Sequence, residues 1–370
     1  MRSLNIGIVG GSLAGLFTAI LLRSDGHNVT VFERSAHGLA GRGAGLVAQA
    51  DLFRMLRAIG CEHLAHVGVV AQERIFLASD GRVAERIATP QTQISWDTLY
   101  STVAAMLPPE HYRLGTMISQ VEQHVDSVTV KFADGQCSSF DLVVGADGVA
   151  STVRTVINAN STNRFAGYVA WRGIIAETRL PAAASILLNR FTFYVTKGIH
   201  ALGYLVPGPK GEMEEGTRRY NWVWYRKVSA DELPDLFTGA RGKKYDFSLP
   251  RGELTPSRQR ALAADAFAFL PPQFALTIDA TRSPFIQGIF DYESERMVSH
   301  RTALVGDAAF VVRPHTAMGV AKAAGDVLAL RKALAETGNL SDALKRYERE
   351  RITVGREISH LGKVLGGVAL

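Results

Sequence analysis

The first 34 residues contain the pattern that most limits the fold of this chain: an apolar strand, a glycine-rich turn, a helix and a second strand that ends in an acid. Gly10 and Gly11 permit a tight turn, and Gly15 lets the helix pack closely against the first strand. The N–H groups that begin such a helix can bind a pyrophosphate, and Glu33 is placed to accept hydrogen bonds from an unphosphorylated ribose. The segment therefore predicts a dinucleotide-binding βαβ unit.

Ser12 stands where this motif normally has its second glycine, and it adds a small side chain beside the expected phosphate. A turn with a purely structural role is the alternative interpretation of these glycines. The complete order of strand, helix, strand and acid favours nucleotide binding over that alternative.

Composition restricts the class of protein further. A chain of 370 residues that is 47% hydrophobic can bury a large core in about two structural units. Its net charge of +6 is scattered, so we expect no nucleic-acid partner. Cys61 and Cys137 are far apart without metal-ligand neighbours, which predicts neither a disulfide framework nor a zinc site and fits a reducing cytoplasm. We expect no leader and no membrane span.

Patterns along the chain change in blocks. Residues 49–60 and 96–107 are typical of helices, and a hairpin is predicted from 121 to 144. The segment 164–281 is rich in aromatic residues and typical of strands. We therefore expect an α/β protein: a discontinuous Rossmann-like domain and a mostly antiparallel β-sheet domain. The predicted boundaries are 1–70, 97–163 and 282–370 for the first domain, and 71–96 and 164–281 for the second.

Two further glycine-acid clusters each follow an apolar strand. One contains Asp147 and Arg154 in GADGVASTVR, and the other contains Gly306 and Asp307 in GDAA. Loops after strands are ligand-facing in an open α/β sheet. Gly319 then opens a helix whose N-terminal dipole can stabilise negative charge on a ligand.

The three motifs VGGSLAG, GADGVASTVR and GDAA, in this order, resemble those of the single-component (class A) FAD-dependent aromatic hydroxylases of the p-hydroxybenzoate hydroxylase type. The resemblance covers essentially the whole chain. FAGYVAWRG, GYLVPG, ERMV and RPHTAMGVAKAAGD are also similar to the branch that contains 2,6-dihydroxypyridine 3-hydroxylase.

The resemblance implies an FAD-dependent monooxygenase. NADH or NADPH would reduce FAD, O₂ would form a flavin C4a-hydroperoxide, and its distal oxygen would pass to a small hydroxylated aromatic, with a hydroxypyridine or other N-heteroaromatic preferred. The protein would exclude water and orient the ring. An oxidase or reductase of the same fold without oxygen transfer is an alternative, and a non-catalytic nucleotide-binding redox sensor is a more remote one.

Cofactor contacts are implied at the three loops and beside them. The residues are Gly10, Gly11, Ser12, Leu13, Ala14, Gly15, Glu33, Arg34, Arg42, Asp147, Arg154, Gly306, Asp307, Pro314, Gly319 and Val320. Asp307 would bind the ribityl chain, and Pro314 would lie beside the reactive edge of the flavin. The chain departs from the family pattern at Trp96, where many relatives have an arginine directed at the pyrophosphate.

Candidate catalytic residues are Pro314, His315, His200 and Tyr204. His200 and Tyr204 have a spacing that places them on one face of a strand, which favours a shared pocket. A surface turn residue and a half-buried strand aromatic are the alternatives for these two. His315 comes just before the helix that would face the flavin.

Candidate substrate contacts are Trp171, Arg172, Trp222 and Trp224. Trp171 and Arg172 are equally consistent with a packing tryptophan and a solvated charge. Trp222 and Trp224 share a face, and aromatic stripes on strands normally build cores, so packing is the favoured interpretation for them. The charged stretch from residue 344 is expected to be a solvated helix face, with a homodimer contact as the alternative.

Overall fold

The computed structural model describes residues 2–41 and 45–369. The strands are β1 (Asn5–Val9), β2 (Asn28–Glu33), β3 (Gly45–Val47), β4 (Val69–Ala71), β5 (Glu73–Leu77), β6 (Val83–Ile87), β7 (Gln91–Ser95), β8 (Tyr112–Leu114), β9 (Ile118–Gln123), β10 (Val128–Phe132), β11 (Cys137–Phe140), β12 (Leu142–Gly145), β13 (Arg164–Ala176), β14 (Arg190–Thr196), β15 (Ile199–Val206), β16 (Arg219–Lys227), β17 (Ser248–Leu249), β18 (Phe285–Glu293), β19 (Val298–Ser299), β20 (Thr302–Leu304) and β21 (Phe310–Val311). The α-helices are α1 (Leu13–Ser24), α2 (Ala50–Ala58), α3 (Trp96–Ala105), α4 (Thr152–Ile157), α5 (Leu233–Leu236), α6 (Pro256–Phe269), α7 (Pro272–Asp279), α8 (Gly319–Glu336) and α9 (Leu340–Ala369).

The first domain is built on a twisted sheet in the order β19-β20-β12-β1-β2-β8, in which every pairing except that of β19 with β20 is parallel. Apolar residues of this sheet and of α1, α2, α8 and α9 form one buried core. The three predicted ligand loops follow β1, β12 and β20, which are neighbours in the sheet. Parallel strands end at the same edge, so the order of strands alone brings the loops together.

The second domain is a mostly antiparallel sheet in the order β17-β18-β13-β16-β15-β14-β5-β6, with β21 added to β18. β18 lies beyond the predicted boundary at residue 281, because its ladder with β13 continues the sheet to Asp291 and its pairing with β21 extends the strand to Glu293. The segment 71–96 contributes β5 and β6 to this sheet. Its remaining strand, β7, pairs instead with β3 and β4 in a small separate sheet. The α/β fold with an antiparallel second sheet is as predicted.

The large sheet has two different faces. One packs on α6 and α7 and contains Trp171, Trp222 and Trp224, and the Trp222 Nε1 donates to Thr281 Oγ1 at 2.9 Å. The opposite face is turned toward the first domain. The three tryptophans fill the core between sheet and helices, as the packing interpretation expects, and this corrects their inclusion among the candidate substrate contacts.

α9 packs closely against Phe310 and against Tyr168 on β13, because a glycine lies at each of these contacts. A Cβ at Gly355 would lie 2.5 Å from the ring of Phe310, and one at Gly366 would lie 2.7 Å from the hydroxyl of Tyr168. Among the helices of residues 2–41 and 45–369, none is both long and apolar enough to cross a bilayer.

Candidate active site

The first loop forms a very tight turn between β1 and α1. Gly10 has a φ of +105°, and a Cβ there would lie 2.3 Å from the carbonyl oxygen of Ala146, in the second loop. A Cβ at Gly15 would lie 1.9 Å from the Gly10 oxygen. Ser12 caps the helix with no side-chain hydrogen bond, and the first turn holds no acid. The helix N-terminus is thus open to an anion.

Glu33 lies beside this turn at the end of β2. Its carboxylate accepts hydrogen bonds from the Gly11 N–H at 2.9 Å and the Ser35 N–H at 2.8 Å, and it is largely buried. Each carboxylate oxygen can accept a further bond, so Glu33 can still receive a ribose hydroxyl. Sequence analysis missed Tyr112, whose hydroxyl donates to the Gly11 carbonyl at 2.8 Å and contacts the Tyr100 hydroxyl at 2.9 Å. No motif signals this support, because Tyr112 reaches the loop from β8.

Arg154 joins the second loop to the third. Its Nε donates to the Ala308 carbonyl at 2.8 Å and its Nη2 to the Asp307 carbonyl at 2.7 Å, while its guanidinium lies 3.8 Å from the ring centre of Tyr292. Asp147 accepts from the Ser151 hydroxyl and the Thr152 N–H, which caps α4. Burial raises the pKa of Asp147 and lowers that of Arg154. Both side chains hold the loops rather than extend freely into a ligand site.

A buried group of charges lies beneath the third loop. Lys322 Nζ donates to the Gly306 carbonyl at 2.7 Å and lies 3.3 Å from an oxygen of Asp326, which also accepts from the Gly306 N–H at 3.0 Å. Arg351, on α9, donates to the other Asp326 oxygen at 2.8 Å. Lys322 and Asp326 are one turn apart on α8, a spacing that signals a pair, but nothing local indicates Arg351 or the loop.

The remaining geometry fits FAD. Asp307 is exposed at the end of β20, and desolvation by the surrounding protein raises the pKa of its carboxylate. A Cβ at Gly306 would meet Ala14 at 3.2 Å, so the first and third loops touch. Around Gly319, at the first turn of α8, a Cβ would meet nothing within 4 Å. An open helix N-terminus, an accessible acid and a tight glycine turn at one sheet edge suit a dinucleotide with a ring system that accepts negative charge.

The other predicted cofactor residues occupy varied positions. Leu13 is buried in the core, Arg34 is exposed at the end of β2, and Val320 packs at the start of α8. Arg42 lies outside the described residues. Trp96 stacks on Tyr100, with ring centres 5.0 Å apart.

Two histidines meet on the face of the large sheet that is turned toward the first domain. His315, in a short turn at Pro314–Thr316, lies with its ring centre 5.5 Å from that of His200 on β15 and 4.4 Å from that of Tyr225. Its Nε2 is 2.9 Å from the Tyr168 hydroxyl, while neither ring nitrogen of His200 has a partner among the described residues. Burial lowers the pKa of each histidine to about 4, so both rings are neutral at pH 7.

Polar and aromatic groups surround this pair. Burial raises the pKa of Tyr168 to about 12, and Arg313, paired with Asp291 at 2.7 Å, lies over its ring. Arg172 donates to Gln287 at 2.8 Å and shares the face of the histidines. The ring of Tyr204 packs on Phe191, and its hydroxyl donates to the Gly45 carbonyl at 3.3 Å. The described residues hold no cluster of three metal-ligating side chains.

These features define a two-domain flavoprotein: a discontinuous nucleotide-binding domain whose loops fit FAD, and a sheet that presents neutral histidines and aromatic rings toward it. Family models match over three segments of the chain. They describe an NAD(P)-binding Rossmann-like domain at residues 8–55, an FAD binding domain-like region at 165–291 and an FAD binding domain at 286–361.

The 2,6-dihydroxypyridine 3-monooxygenase of Paenarthrobacter nicotinovorans is 31% identical over 97% of this chain and 89% of its own length. The 3-amino-4-hydroxybenzoate 2-monooxygenase of Streptomyces cremeus is 28% identical over 96% and 85%. The solved structure of 2,6-dihydroxypyridine-3-hydroxylase from Arthrobacter nicotinovorans superposes with a TM-score of 0.93 and 28% identity, covering 100% of this chain and 93% of that one.

The chain belongs to the single-component (class A) FAD-dependent aromatic hydroxylases. It is a monooxygenase that uses FAD, NAD(P)H and O₂ to hydroxylate an aromatic ring. This membership confirms the predicted enzyme class and favours oxygen transfer over the oxidase, reductase and sensor alternatives.

Proposed function

We propose that this enzyme hydroxylates a small hydroxypyridine or a related N-heteroaromatic. The observation that carries the proposal is the shape of the sheet face beside the flavin loops. Val223 and the cross-strand Leu202 form an apolar floor, and the neutral His200 and His315 lie at one end of it. A flat ring suits the floor, and a ring hydroxyl suits the histidines. A relative that acts on 2,6-dihydroxypyridine supports the choice of ring.

Within this proposal the three loops hold the cofactor. The N–H groups of the first turn of α1 bind the pyrophosphate, Glu33 receives the ribose and Asp307 receives the ribityl chain. The first turn of α8, beginning at Gly319, would stabilise negative charge on the ring system, and Pro314 would lie beside it. Bound FAD supplies the redox chemistry that couples NAD(P)H oxidation to oxygen transfer.

In this proposal His200 and His315 bind the substrate hydroxyl. His200 has both ring nitrogens unpartnered, so a neutral ring can accept the hydroxyl proton and make the aromatic ring richer in electrons. His315 is held beside it by its contact with Tyr168. Burial of these groups, with Tyr225 against both rings, keeps water away from the reacting ring.

The activity test starts with the purified protein and its visible spectrum. A flavin spectrum, NAD(P)H oxidation stimulated by hydroxypyridines and incorporation of ¹⁸O from ¹⁸O₂ into the product are the expected results. His200→Gln should lower the turnover number by about 10²- to 10⁴-fold while FAD content stays unchanged. Oxidation that yields only peroxide with every hydroxypyridine would contradict the proposed substrate class.

We also propose a cytoplasmic homodimer. Two free cysteines suit a reducing compartment. Leu361, Val364 and Leu365 near the end of α9 are 45%, 48% and 40% exposed, and such apolar groups are common at subunit contacts. Light scattering on the purified protein measures the oligomeric state, and a monomer at micromolar concentration would argue against the dimer.

A further inference from the structure

Asn221, on β16, carries a buried carboxamide that makes no hydrogen bond to the described residues. Its side chain is 0% exposed, and neither Nδ2 nor Oδ1 has a hydrogen-bond partner among the described residues. Burying an amide without partners is costly, and buried polar groups in native proteins are nearly always met by protein, water or ligand. An amide in this state therefore points to a partner that residues 2–41 and 45–369 do not provide.

The register of the sheet places Asn221 on the face of the histidine pair. Asn221 pairs across the ladder with Tyr204, Val223 pairs with Leu202, and Tyr225 pairs with His200. Directly opposed residues project to the same side of a sheet, so all of these side chains share one face. Asn221 and Tyr225 are four residues apart, which is about 13 Å along the strand. The apolar floor thus has the histidines at one end and a carboxamide at the other.

A second buried amide without a hydrogen-bond partner among the described residues points toward the same region. Gln93, on β7, is 0% exposed, and its Nε2 and Oε1 also lack partners among the described residues. It lies two residues from Ser95, which pairs with Gly45, and a Cβ at Gly45 would lie 2.3 Å from the ring of Tyr204. Gln93 therefore projects from the small sheet toward Tyr204. Two independent strands bring unpartnered carboxamides to the end of the floor away from the histidines.

We infer that Asn221 is a specificity residue that recognises the lactam edge of the substrate. A hydroxyl next to a ring nitrogen converts readily to a carbonyl beside an N–H, as in 2-pyridones. A carboxamide complements that edge, because its oxygen accepts from the ring N–H while its NH₂ donates to the carbonyl. A carbocyclic phenol has no donor at the nitrogen position, so the amide oxygen would receive no hydrogen bond from it. This inference rests on the proposed function, and it names the chemical group that the site selects.

The test compares two ligands that differ only in the ring nitrogen. 2,6-Dihydroxypyridine and resorcinol carry the same pair of oxygens, and the perturbation of the flavin spectrum in the oxidised holoenzyme measures the Kd of each without turnover. We expect the wild-type enzyme to bind the pyridine at least about tenfold more tightly. Asn221→Leu keeps the branched side chain of four heavy atoms and replaces both polar atoms by methyl groups, so the ratio of the two Kd values should fall close to one.

Tyr220→Phe is the matched control, because it removes a buried hydroxyl one residue away on the opposite face of the same strand. Its ratio of Kd values should equal that of the wild type. Asn221→Asp provides a second variant if the leucine variant does not retain FAD: it keeps the acceptor for the ring N–H and loses the donor to the ring oxygen, so it should weaken binding of both ligands and still prefer the pyridine, and a ratio near one in this variant would contradict the inference.

A wild-type ratio of Kd values near one, or a ratio that Asn221→Leu leaves unchanged, would overturn the inference. The hydrogen-bond partner of the amide would then be an ordered internal water. Either result is compatible with hydroxylation of another aromatic. Failure of every aromatic to perturb the flavin spectrum or to stimulate NAD(P)H oxidation would instead count against the proposed function. The two failures are therefore distinguishable.

Discussion

Replacing Lys322 by methionine tests whether the charges beneath the third loop hold that loop in place. Lys322 is 1% exposed, and its Nζ donates to the Gly306 carbonyl at 2.7 Å. Methionine fills much of the same space but leaves that carbonyl with the Ala309 N–H as its remaining donor and removes one cation from Asp326. Removing one partner of a buried ion pair typically costs about 3–5 kcal/mol. Because Arg351 remains bonded to Asp326, we expect the lower end, about 3 kcal/mol.

Urea unfolding of the FAD-free protein, followed by circular dichroism, measures this loss in the free energy of unfolding. The control is Arg331→Met, on the same helix, which breaks an exposed ion pair with Asp25. Exposed pairs contribute about 0–1 kcal/mol, so this variant should differ little from the wild type. Titration with FAD, followed by flavin fluorescence, should show weaker binding only for Lys322→Met, because the Gly306 loop carries Asp307.

Similar stability losses in the two variants would refute the reasoning, since they would show that the buried ammonium contributes no more than a surface charge. Unchanged FAD affinity in Lys322→Met together with a large stability loss would separate the two roles: the charges would support the core without positioning the loop.

Two further predictions concern the histidine pair. Gly366→Ala places a Cβ 2.7 Å from the Tyr168 hydroxyl, so it should disturb the Tyr168–His315 contact and lower the turnover number by about fivefold, which corresponds to the loss of one hydrogen bond. Gly367→Ala is the control, because its Cβ meets nothing within 4 Å and should leave the turnover number unchanged. Equal turnover numbers in the two variants would contradict this prediction. The lowered pKa values of His200 and His315, about 4 against 6.5 when unfolded, mean that the unfolded chain takes up their protons first as pH falls from 6.5 to 4. The free energy of unfolding should therefore fall through this window by up to about 1.4 kcal/mol per pH unit for each histidine, and urea unfolding at pH 7 and pH 5 should show a smaller loss in the double glutamine variant.

The parts of this protein that sequence predicts well depend on neighbouring residues. Gly10 and Gly15 are required by contacts within one strand-turn-helix unit, so their spacing carries the information. The three loops follow strands that are far apart in the chain, but each loop has its own local pattern. Their placement at one edge follows from the general rule for parallel sheets, while their direct contact depends on β20, β12 and β1 being neighbours, which the sequence does not state.

Residues whose role depends on register or on distant contacts are hidden. Alternation shows that Trp222 and Trp224 share a face, but the face is decided by α6 and α7, which come later in the chain. The same limit applies to Asn221: an asparagine between aromatic strand residues has no special pattern, and only the pairing with Tyr204 places it on the sheet face that carries His200. Tyr112 and Arg351 are invisible for the same reason, since each supports a loop from another element.

Most charged side chains of the three motifs are engaged in hydrogen bonds within the protein. Arg154 and Asp147 direct their hydrogen bonds to loop backbone, and the Lys322 ammonium is engaged by Gly306 and Asp326. What remains open at the sheet edge is mainly backbone N–H at two helix N-termini, together with Asp307. Such donors are fixed in direction by the fold and need no reorganisation when an anion arrives. The charged residues of the motifs therefore act mostly by holding the loops, and under the proposed function discrimination between aromatic substrates falls to the sheet face opposite them.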